Sequence, residues 1–354
     1  MDDHIISTMA SADERPNQWN LGLPFKNCSG PHCIVGTNLQ RCGACLVVLY
    51  CGVEHQKADR PRHKSSCNLI KQSREKLSRE ERDLRAAQPD IGLPENVFEN
   101  GRGRFWGVLC TRPYMRARHE LITAFLNIRT GEAAQTALDH CLETLDLCRG
   151  DNLGIRSQVP ALYLRLGRDQ EAYDFMKWYS VGPTSTYDWG DMSLPFLNLR
   201  AEDAFEHFEH RAGGFFEVSF LTAMICLKIQ LLLDIKMLDR CIKKHGNQAY
   251  EKKMEWVRED AMSDILYKRP DIVEKSDYAG IIADLEDQVT KLCANIKKRN
   301  KHYLPGLHHP ERYSHALPAA YTMGSPEEVN LAFRETWYMW SECAPALEVI
   351  KRYG

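Results

Sequence analysis

The fold of the first part of this chain is decided between Cys42 and Cys67, where the sequence reads CGACLVVLYCGVEHQKADRPRHKSSC. With two earlier cysteines, this stretch places eight metal-type ligands within forty residues. They form four short-spaced pairs: Cys28 and Cys33, Cys42 and Cys45, Cys51 and His55, His63 and Cys67. Zinc prefers four nitrogen or sulfur ligands in a tetrahedron, so eight ligands predict two zinc ions. Protein ligands would fill both sites and leave no position for water or substrate, so we expect both ions to be structural.

Disulfide bonds are the alternative explanation for so many cysteines. Against them, the first twenty residues are polar, carry four acidic side chains and lack the apolar run of a secretory signal. Close cysteine pairs interleaved with histidines, in a chain without such a signal, favour metal binding over disulfides. We therefore expect an intracellular protein, either cytoplasmic or nuclear.

From Cys42 onward the spacing is more specific than that of a generic zinc site, and it resembles the MYND-type zinc finger. The matching features are Cys-x2-Cys, a five-residue run ending in Tyr50, a ligand followed by Gln56, and a final His-Lys and cysteine. The resemblance covers residues 28–67. In that family, pairs one and three hold one zinc ion and pairs two and four hold the other. The resemblance therefore implies a cross-brace with site one at Cys28, Cys33, Cys51 and His55, and site two at Cys42, Cys45, His63 and Cys67.

The segment departs from the family pattern at three positions. The first pair is spaced by four residues where two are usual, and His55 replaces a cysteine, although imidazole is also an accepted zinc ligand. Arg60 stands where the family usually has a tryptophan. In some family members that tryptophan and a glutamine, which is kept here as Gln56, help to form a peptide-docking surface. The resemblance therefore leaves peptide binding of that kind open. His32 is a competing ligand for site one, but thiolate is the softer donor and we expect Cys33 to bind.

The finger is too short to fold by burying apolar surface. Forty residues with few large apolar side chains need another source of stability, which here is metal binding. The exception is the apolar run Leu46–Tyr50, which predicts a short strand beneath the zinc sites.

The remainder of the chain predicts a mainly α-helical fold. Opposite charges three and four residues apart indicate a charged helix over residues 69–88, and the prolines and glycines of residues 89–103 indicate a linker. Apolar side chains then recur with helical period almost to the end of the chain. The expected segments are a flexible N-terminus (1–27), the zinc finger (28–67), the charged helix and linker (68–103), and an α-helical domain (104–354).

One segment of the helical domain, Leu164–Tyr179, is similar to the hinge of a tetratricopeptide repeat, with Gly167 as the residue that ends the first helix. Three copies at a period of about 34 residues do not occur, so we expect a TPR-like domain and not a regular solenoid. The segments Thr111–Arg118 and Asp151–Arg156 resemble uncharacterised fungal proteins that pair a MYND finger with a helical domain. That resemblance spans most of the chain and implies architecture without an activity.

Net charge and hydropathy limit the kinds of partner that we expect. The formal net charge is −2, so we do not expect a nucleic-acid partner. The most apolar run, Ser219–Leu233, is interrupted by Lys228 and Gln230, so we expect no membrane span.

The sequence carries none of the common enzyme signatures, such as G-x-S-x-G, the P-loop or the dinucleotide fingerprint. Some MYND proteins are SET-domain lysine methyltransferases, and Gly101–Arg104 resembles their glycine-rich cofactor segment. Here that segment follows the finger instead of preceding it, and the Asn-His motif of those enzymes is missing. We therefore expect a non-enzymatic adaptor with protein partners. The alternatives are a methyltransferase and a helical scaffold whose finger is purely structural.

Overall fold

The computed structural model describes residues 27–182, 186–208, 217–313 and 320–354. The predicted flexible N-terminus, apart from Asn27, lies outside these residues. In the described ranges, thirteen α-helices follow one two-stranded sheet, which confirms a small finger followed by an all-helical region. The strands are β1 (Gln40–Arg41) and β2 (Leu49–Tyr50). The helices are α1 (Val53–Ala86), α2 (Val97–Asn100), α3 (Arg112–Leu126), α4 (Gly131–Leu147), α5 (Val159–Arg165), α6 (Asp169–Val181), α7 (Val218–His245), α8 (Tyr250–Asp260), α9 (Pro270–Val273), α10 (Ala279–Arg299), α11 (Tyr303–Gly306), α12 (Pro326–Glu342) and α13 (Ala344–Lys351).

The finger is organised by a short antiparallel hairpin, in which Arg41 lies opposite Leu49. The strand is shorter than predicted because Leu46 takes a φ of 64°, a left-handed conformation that belongs to the turn. This turn is closed by hydrogen bonds from Leu46 N to Cys42 O (2.9 Å) and from Cys42 N to Val48 O (2.8 Å). The hairpin therefore folds the second ligand pair back over the buried apolar run.

Helix α1 begins inside the finger and continues far beyond it. Its buried stripe starts with Asp59, His63 and Cys67 and continues with Ile70 and Leu77, spaced three, four or seven residues apart. The same face therefore supplies zinc ligands at its start and packs against α3 further along. Helix α1 thus runs through the predicted boundary between finger and charged helix, and the division into domains stays a prediction.

The finger and the helical region also touch through side chains. Thr130 Oγ1 donates to Val47 O at 2.8 Å, across more than eighty residues of sequence. Arg74 donates to the carbonyl oxygens of Ala44 (2.9 Å) and Cys45 (2.7 Å). These bonds fix the hairpin of the finger against α1 and the start of α4.

Helix α7 is the centre of the helical region, where it contacts α5, α6, α8, α10, α12 and α13. In the described part of the chain it is the one helix long and apolar enough to cross a membrane, yet 94% of its most apolar window is buried inside the protein. Lys228, which interrupts the apolar run, is fully buried and donates to the carbonyl oxygens of Ala204 (2.7 Å) and Glu206 (2.6 Å). Helix α7 is therefore a core helix that pins a neighbouring loop.

The C-terminal helix pair closes this core through buried polar contacts. Trp340 Nε1 donates to Thr222 Oγ1 and to the hydroxyl of Tyr303, both at 3.1 Å. Arg165 and Glu342 form an ion pair at 2.9 Å in which both side chains are 2% exposed. Buried polar groups of this kind are satisfied by one another, so they specify how α5, α7 and α12 fit together.

Turn and cap residues lie where their chemistry predicts. Gly167 takes a φ of 62° between α5 and α6. Ser325 Oγ accepts a hydrogen bond from Glu328 N (3.3 Å) and caps α12. Pro160 lies in the first turn of α5, after a separate 3-10 turn. The likeness of α5 and α6 to a tetratricopeptide repeat stays a prediction.

Candidate metal centre

Site one brings together Cys28, Cys33, Cys51 and His55, whose ligand atoms all lie within 4.8 Å of one another. Cys33 Sγ and Cys51 Sγ are 3.8 Å apart, and Cys28 Sγ lies 3.5 Å from His55 Nδ1. A tetrahedron with zinc–sulfur bonds of about 2.3 Å has sulfur–sulfur edges of roughly 3.8 Å. The contact between Cys51 Sγ and His55 Nδ1 is shorter, at 2.9 Å. The group has the composition and size of a zinc site.

Site two brings together Cys42, Cys45, His63 and Cys67, and all four are buried. Cys42 Sγ and Cys67 Sγ are 3.6 Å apart, and Cys45 Sγ lies 3.5 Å from His63 Nε2. The two histidines use different ring nitrogens, Nδ1 at site one and Nε2 at site two. The two groups together fit two zinc ions.

The two sites interleave along the chain as the resemblance implies. The N-terminal loop and the hairpin each supply one cysteine pair, and Cys51 follows β2 directly. Helix α1 supplies His55 to site one and both His63 and Cys67 to site two. His63 and Cys67 are four residues apart, so they project from one face of the helix. His32 is exposed and belongs to neither group.

The unusual spacing of the first pair is accommodated by a turn at Gly30. Cys33 N donates to Gly30 O at 3.2 Å. A Cβ atom at this glycine would lie 2.5 Å from His55 Cβ, closer than carbon atoms approach. The turn therefore needs glycine so that His55 can approach the loop.

Hydrogen bonds prepare some of the thiols for ionisation. Burial alone would raise the pKa of Cys28, but the N–H groups of Cys51 (3.3 Å) and Gly30 (3.4 Å) donate to its Sγ and lower the pKa to about 7. At Cys42, hydrogen bonds from the backbone of Cys45 and from His63 likewise outweigh burial and lower the pKa to about 6. Backbone donors of this kind stabilise a thiolate that can ligate zinc.

Other thiols of the same sites resist ionisation. Burial and the negative charge of Cys42 and Cys67 raise the pKa of Cys45 to about 12. Burial and the neighbouring thiols Cys28 and Cys33 raise the pKa of Cys51 to about 11. A bound divalent cation removes this repulsion, since coordination deprotonates a thiol.

No motif in the sequence marks the residues that support the ligands. Tyr50 donates its hydroxyl to Asp59 Oδ2 at 2.8 Å, and Arg62 Nε donates to Asp59 Oδ1 at 2.9 Å. Asp59 is 2% exposed and lies four residues before His63 on the buried face of α1. The four-residue spacing could have indicated that Asp59 shares a helix face with His63, but only if α1 is known to begin at Val53. By contrast, Arg60 is exposed and Gln56 is half-buried on the same helix.

Comparison with known proteins agrees with this geometry. Residues 26–67 match the family described as MYND finger, which is a minor part of the chain. The Rho GTPase-activating protein gacZ of Dictyostelium discoideum is 41% identical over 66 residues, which cover 18% of this chain and 6% of that protein. The chain therefore spans a small fraction of the length of this curated relative. No solved structure matches the chain. Residues 26–67 are a MYND zinc finger whose two ligand groups fit two zinc ions.

Proposed function

We propose that this chain is a zinc-braced adaptor that binds a protein partner through the finger, with the helical region as its platform. The observation that carries the proposal is the composition of the two sites. Four protein donors surround each position, so the zinc ions supply rigidity and no open coordination position for a substrate. MYND fingers are typically protein-interaction modules.

The surface around site one supports a partner with apolar and acidic side chains. Ile34 is 90% exposed and Val53 is 58% exposed, and each lies within two residues of a site-one ligand. Exposed apolar side chains grouped near a rigid site are typical of interaction surfaces. The finger also holds five Lys or Arg against two Asp or Glu over residues 28–67. We therefore expect a partner segment whose apolar side chains are flanked by Asp or Glu.

A peptide-display selection on the zinc-loaded full chain tests this proposal. Selected peptides are expected to share apolar residues flanked by acids, and to lose binding when Ile34→Asp and Val53→Asp are introduced together. The matched control is Ile91→Asp with Leu109→Asp, which alters exposed apolar side chains outside the finger. Selected peptides that bind the finger variant and the wild type equally would contradict the role of the finger in recognition.

A purely structural finger is the second candidate, and the contacts between the two regions favour it. Thr130 and Arg74 bond to backbone oxygens of the hairpin, and α1 is shared by both regions. If this function is the correct one, removal of zinc lowers the melting temperature of the helical region, while the finger-surface substitutions leave every partner interaction intact.

We also propose that the chain is not an enzyme. The methyltransferase alternative requires saturable binding of S-adenosylmethionine to the zinc-loaded chain. Gly101–Arg104 supports that alternative poorly, because it lies in a turn after α2, with Gly103 at a φ of 85°. Isothermal titration calorimetry is expected to show no binding of S-adenosylmethionine, and a saturable isotherm would reverse this assignment.

A further inference from the structure

A polar cleft of about 580 Å³ opens on the helical region, away from the zinc sites. Helix α3, the loop after α4, the N-terminal end of α7 and one face of α12 line it. Its volume lies within the range of small-molecule sites, roughly 300–1,000 Å³.

The loop after α4 that lines the cleft is strained and is held by hydrogen bonds. Asp151 takes a φ of 51°, a left-handed conformation that is uncommon for aspartate, and Gly154 takes a φ of 71°. The Asp151 carboxylate accepts hydrogen bonds from the N–H groups of Ile155 (2.8 Å) and Arg156 (3.0 Å). Backbone strain persists where surrounding contacts enforce it, and it clusters at functional sites. The loop comprises Asp151–Arg156.

One wall of the cleft is acidic. Glu217 accepts a hydrogen bond from Ser157 Oγ, and Glu335 accepts one from Ser219 Oγ at 2.5 Å. Within the described residues, the second oxygen of each carboxylate has no hydrogen-bond partner. Burial, with a smaller contribution from the charge of Glu217, raises the pKa of Glu335 to about 8, and the hydrogen bond from Ser219 and the charge of Arg334 offset this rise only in part.

Helix α12 also contributes a guanidinium group to the cleft, and within the described ranges this group donates no hydrogen bond to the protein. Arg334 lines the cleft next to Glu335 in sequence and forms no ion pair with any residue in the described ranges. Burial lowers the pKa of Arg334, and burial together with the charge of Arg334 lowers the pKa of His119. A partly desolvated arginine without a partner is costly unless a ligand supplies the anion.

We propose that this cleft binds a small zwitterion of the α-amino-acid class, with its ammonium group at Glu217 and Glu335 and its carboxylate at Arg334. Arginine recognises a carboxylate with two parallel hydrogen bonds, and charge-assisted bonds of this kind are the strong ones. A ligand with only an ammonium group leaves the guanidinium unpaired, and a ligand with only a carboxylate leaves both glutamates unpaired. This site goes beyond the proposed adaptor function and does not depend on it.

Calorimetric titration of the zinc-loaded full chain with the proteinogenic L-amino acids tests the proposal. One or a few amino acids are expected to bind with one equivalent. The corresponding amine without the carboxylate, and the corresponding acid without the amino group, should each bind at least about tenfold more weakly. Arg334→Gln and Glu217→Gln should each weaken binding by a similar factor.

Two matched controls separate binding from stability. Arg352→Gln and Glu348→Gln change exposed side chains outside the cleft and should bind like the wild type. Glu335→Gln keeps an acceptor for Ser219, so it is a second acidic variant if Glu217→Gln fails to fold. The proposal is overturned if no amino acid binds, if a single-charge analogue binds as tightly as the zwitterion, or if the folded cleft variants bind like the wild type.

Discussion

The finger and the helical region are stabilised by different forces. In the finger, the side chains at the centre of site two are metal ligands, and the apolar run that supports them extends only from Val47 to Tyr50. In the helical region, the centre is α7, whose side chains are buried almost continuously from Val218 to Leu232. The difference shows that coordination replaces hydrophobic burial where the chain is too short to form an apolar core. The two regions should therefore respond differently to chelator, core truncation and acid.

Removal of zinc should produce the largest difference between the two regions in how far they unfold. Zinc contributes roughly 10–16 kcal/mol to the folding of small zinc domains, so excess chelator should unfold the finger while α7 and its neighbours stay helical. Amide resonances of residues 28–51 should lose dispersion in heteronuclear spectra. His63→Ala should reduce the zinc content from two ions to one, whereas Cys110→Ser, at an exposed cysteine outside both sites, should keep two. A finger that stays dispersed in chelator would break the comparison.

Truncation in the apolar core should have the reverse pattern. Trp340→Ala removes a fully buried ring and leaves Thr222 and Tyr303 without their indole donor. The free energy of unfolding of the helical region should fall by about 3–5 kcal/mol, measured by urea titration. The zinc content should stay at two ions. Met323→Ala, at an exposed side chain, should change the unfolding free energy little.

A fall in pH should destabilise the finger, whereas protonation of Asp234 should stabilise the helical region. Protonation of the ligands releases zinc, so the finger loses stability as the pH falls. In the helical region, burial raises the pKa of Asp234 from 3.8 to about 7, although the carboxylate accepts hydrogen bonds from Met262 N and from Ser263. The folded chain keeps this proton up to about pH 7, whereas the unfolded chain releases it near pH 4. The resulting stabilisation is complete below pH 4 and is lost as the pH rises towards 7, by at most about 1.4 kcal/mol per pH unit.

Asp234→Asn tests this sign. The amide cannot ionise, so the difference in unfolding free energy between wild type and variant should shrink steadily from pH 4 to pH 7. The amide also disturbs the hydrogen bonds from Ser263, which adds an offset that does not depend on pH. Asp83→Asn, at an exposed residue of α1, is the control and should give curves parallel to the wild type. If the unfolding free energies of Asp234→Asn and the wild type changed in parallel with pH, the Asp234 carboxyl would not be the source of the opposite pH response.

The smallest effect should lie at the contact between the regions. Thr130 Oγ1 donates to Val47 O and also accepts from Ala133 N, which makes it the N-cap of α4. Thr130→Val should cost about 1 kcal/mol of stability and should increase hydrogen exchange in the hairpin of the finger. Thr130→Ser keeps the hydroxyl and should preserve both properties. Unchanged exchange in Thr130→Val would show that the two regions are coupled only through α1.

Local chemistry was readable from the sequence. Ligand spacing over residues 28–67 predicted two zinc sites, and the resemblance to the MYND finger implied which four donors each site holds. The structure brings the same donors together. Gly167 was predictable for the same reason, because turn preferences act over a few residues. The likeness to a tetratricopeptide repeat rests on one hinge and stays untested.

Non-local arrangements were not readable. Helix α1 starts at Val53, inside the finger, contains the exposed Pro61 and continues beyond the finger to Ala86, whereas the sequence predicted a charged helix only from residue 69. The polar cleft combines Asp151, Glu217 and Arg334 from three distant parts of the chain, and no spacing rule connects them. A single sequence records helical period and short motifs, but it does not show which helices become neighbours.

The unbroken course of α1 has a practical consequence for work on the finger. This single helix carries His55 in its first turn and Leu84 in its last turn. A fragment cut at Cys67 would end in the middle of this helix. A fragment extended to the end of α1 would lack α3 and would expose Ile70 and Leu77. Because α1 packs against α3, the orientation of the finger relative to the helical region is fixed. A ligand that spans both regions would therefore meet them at a fixed angle.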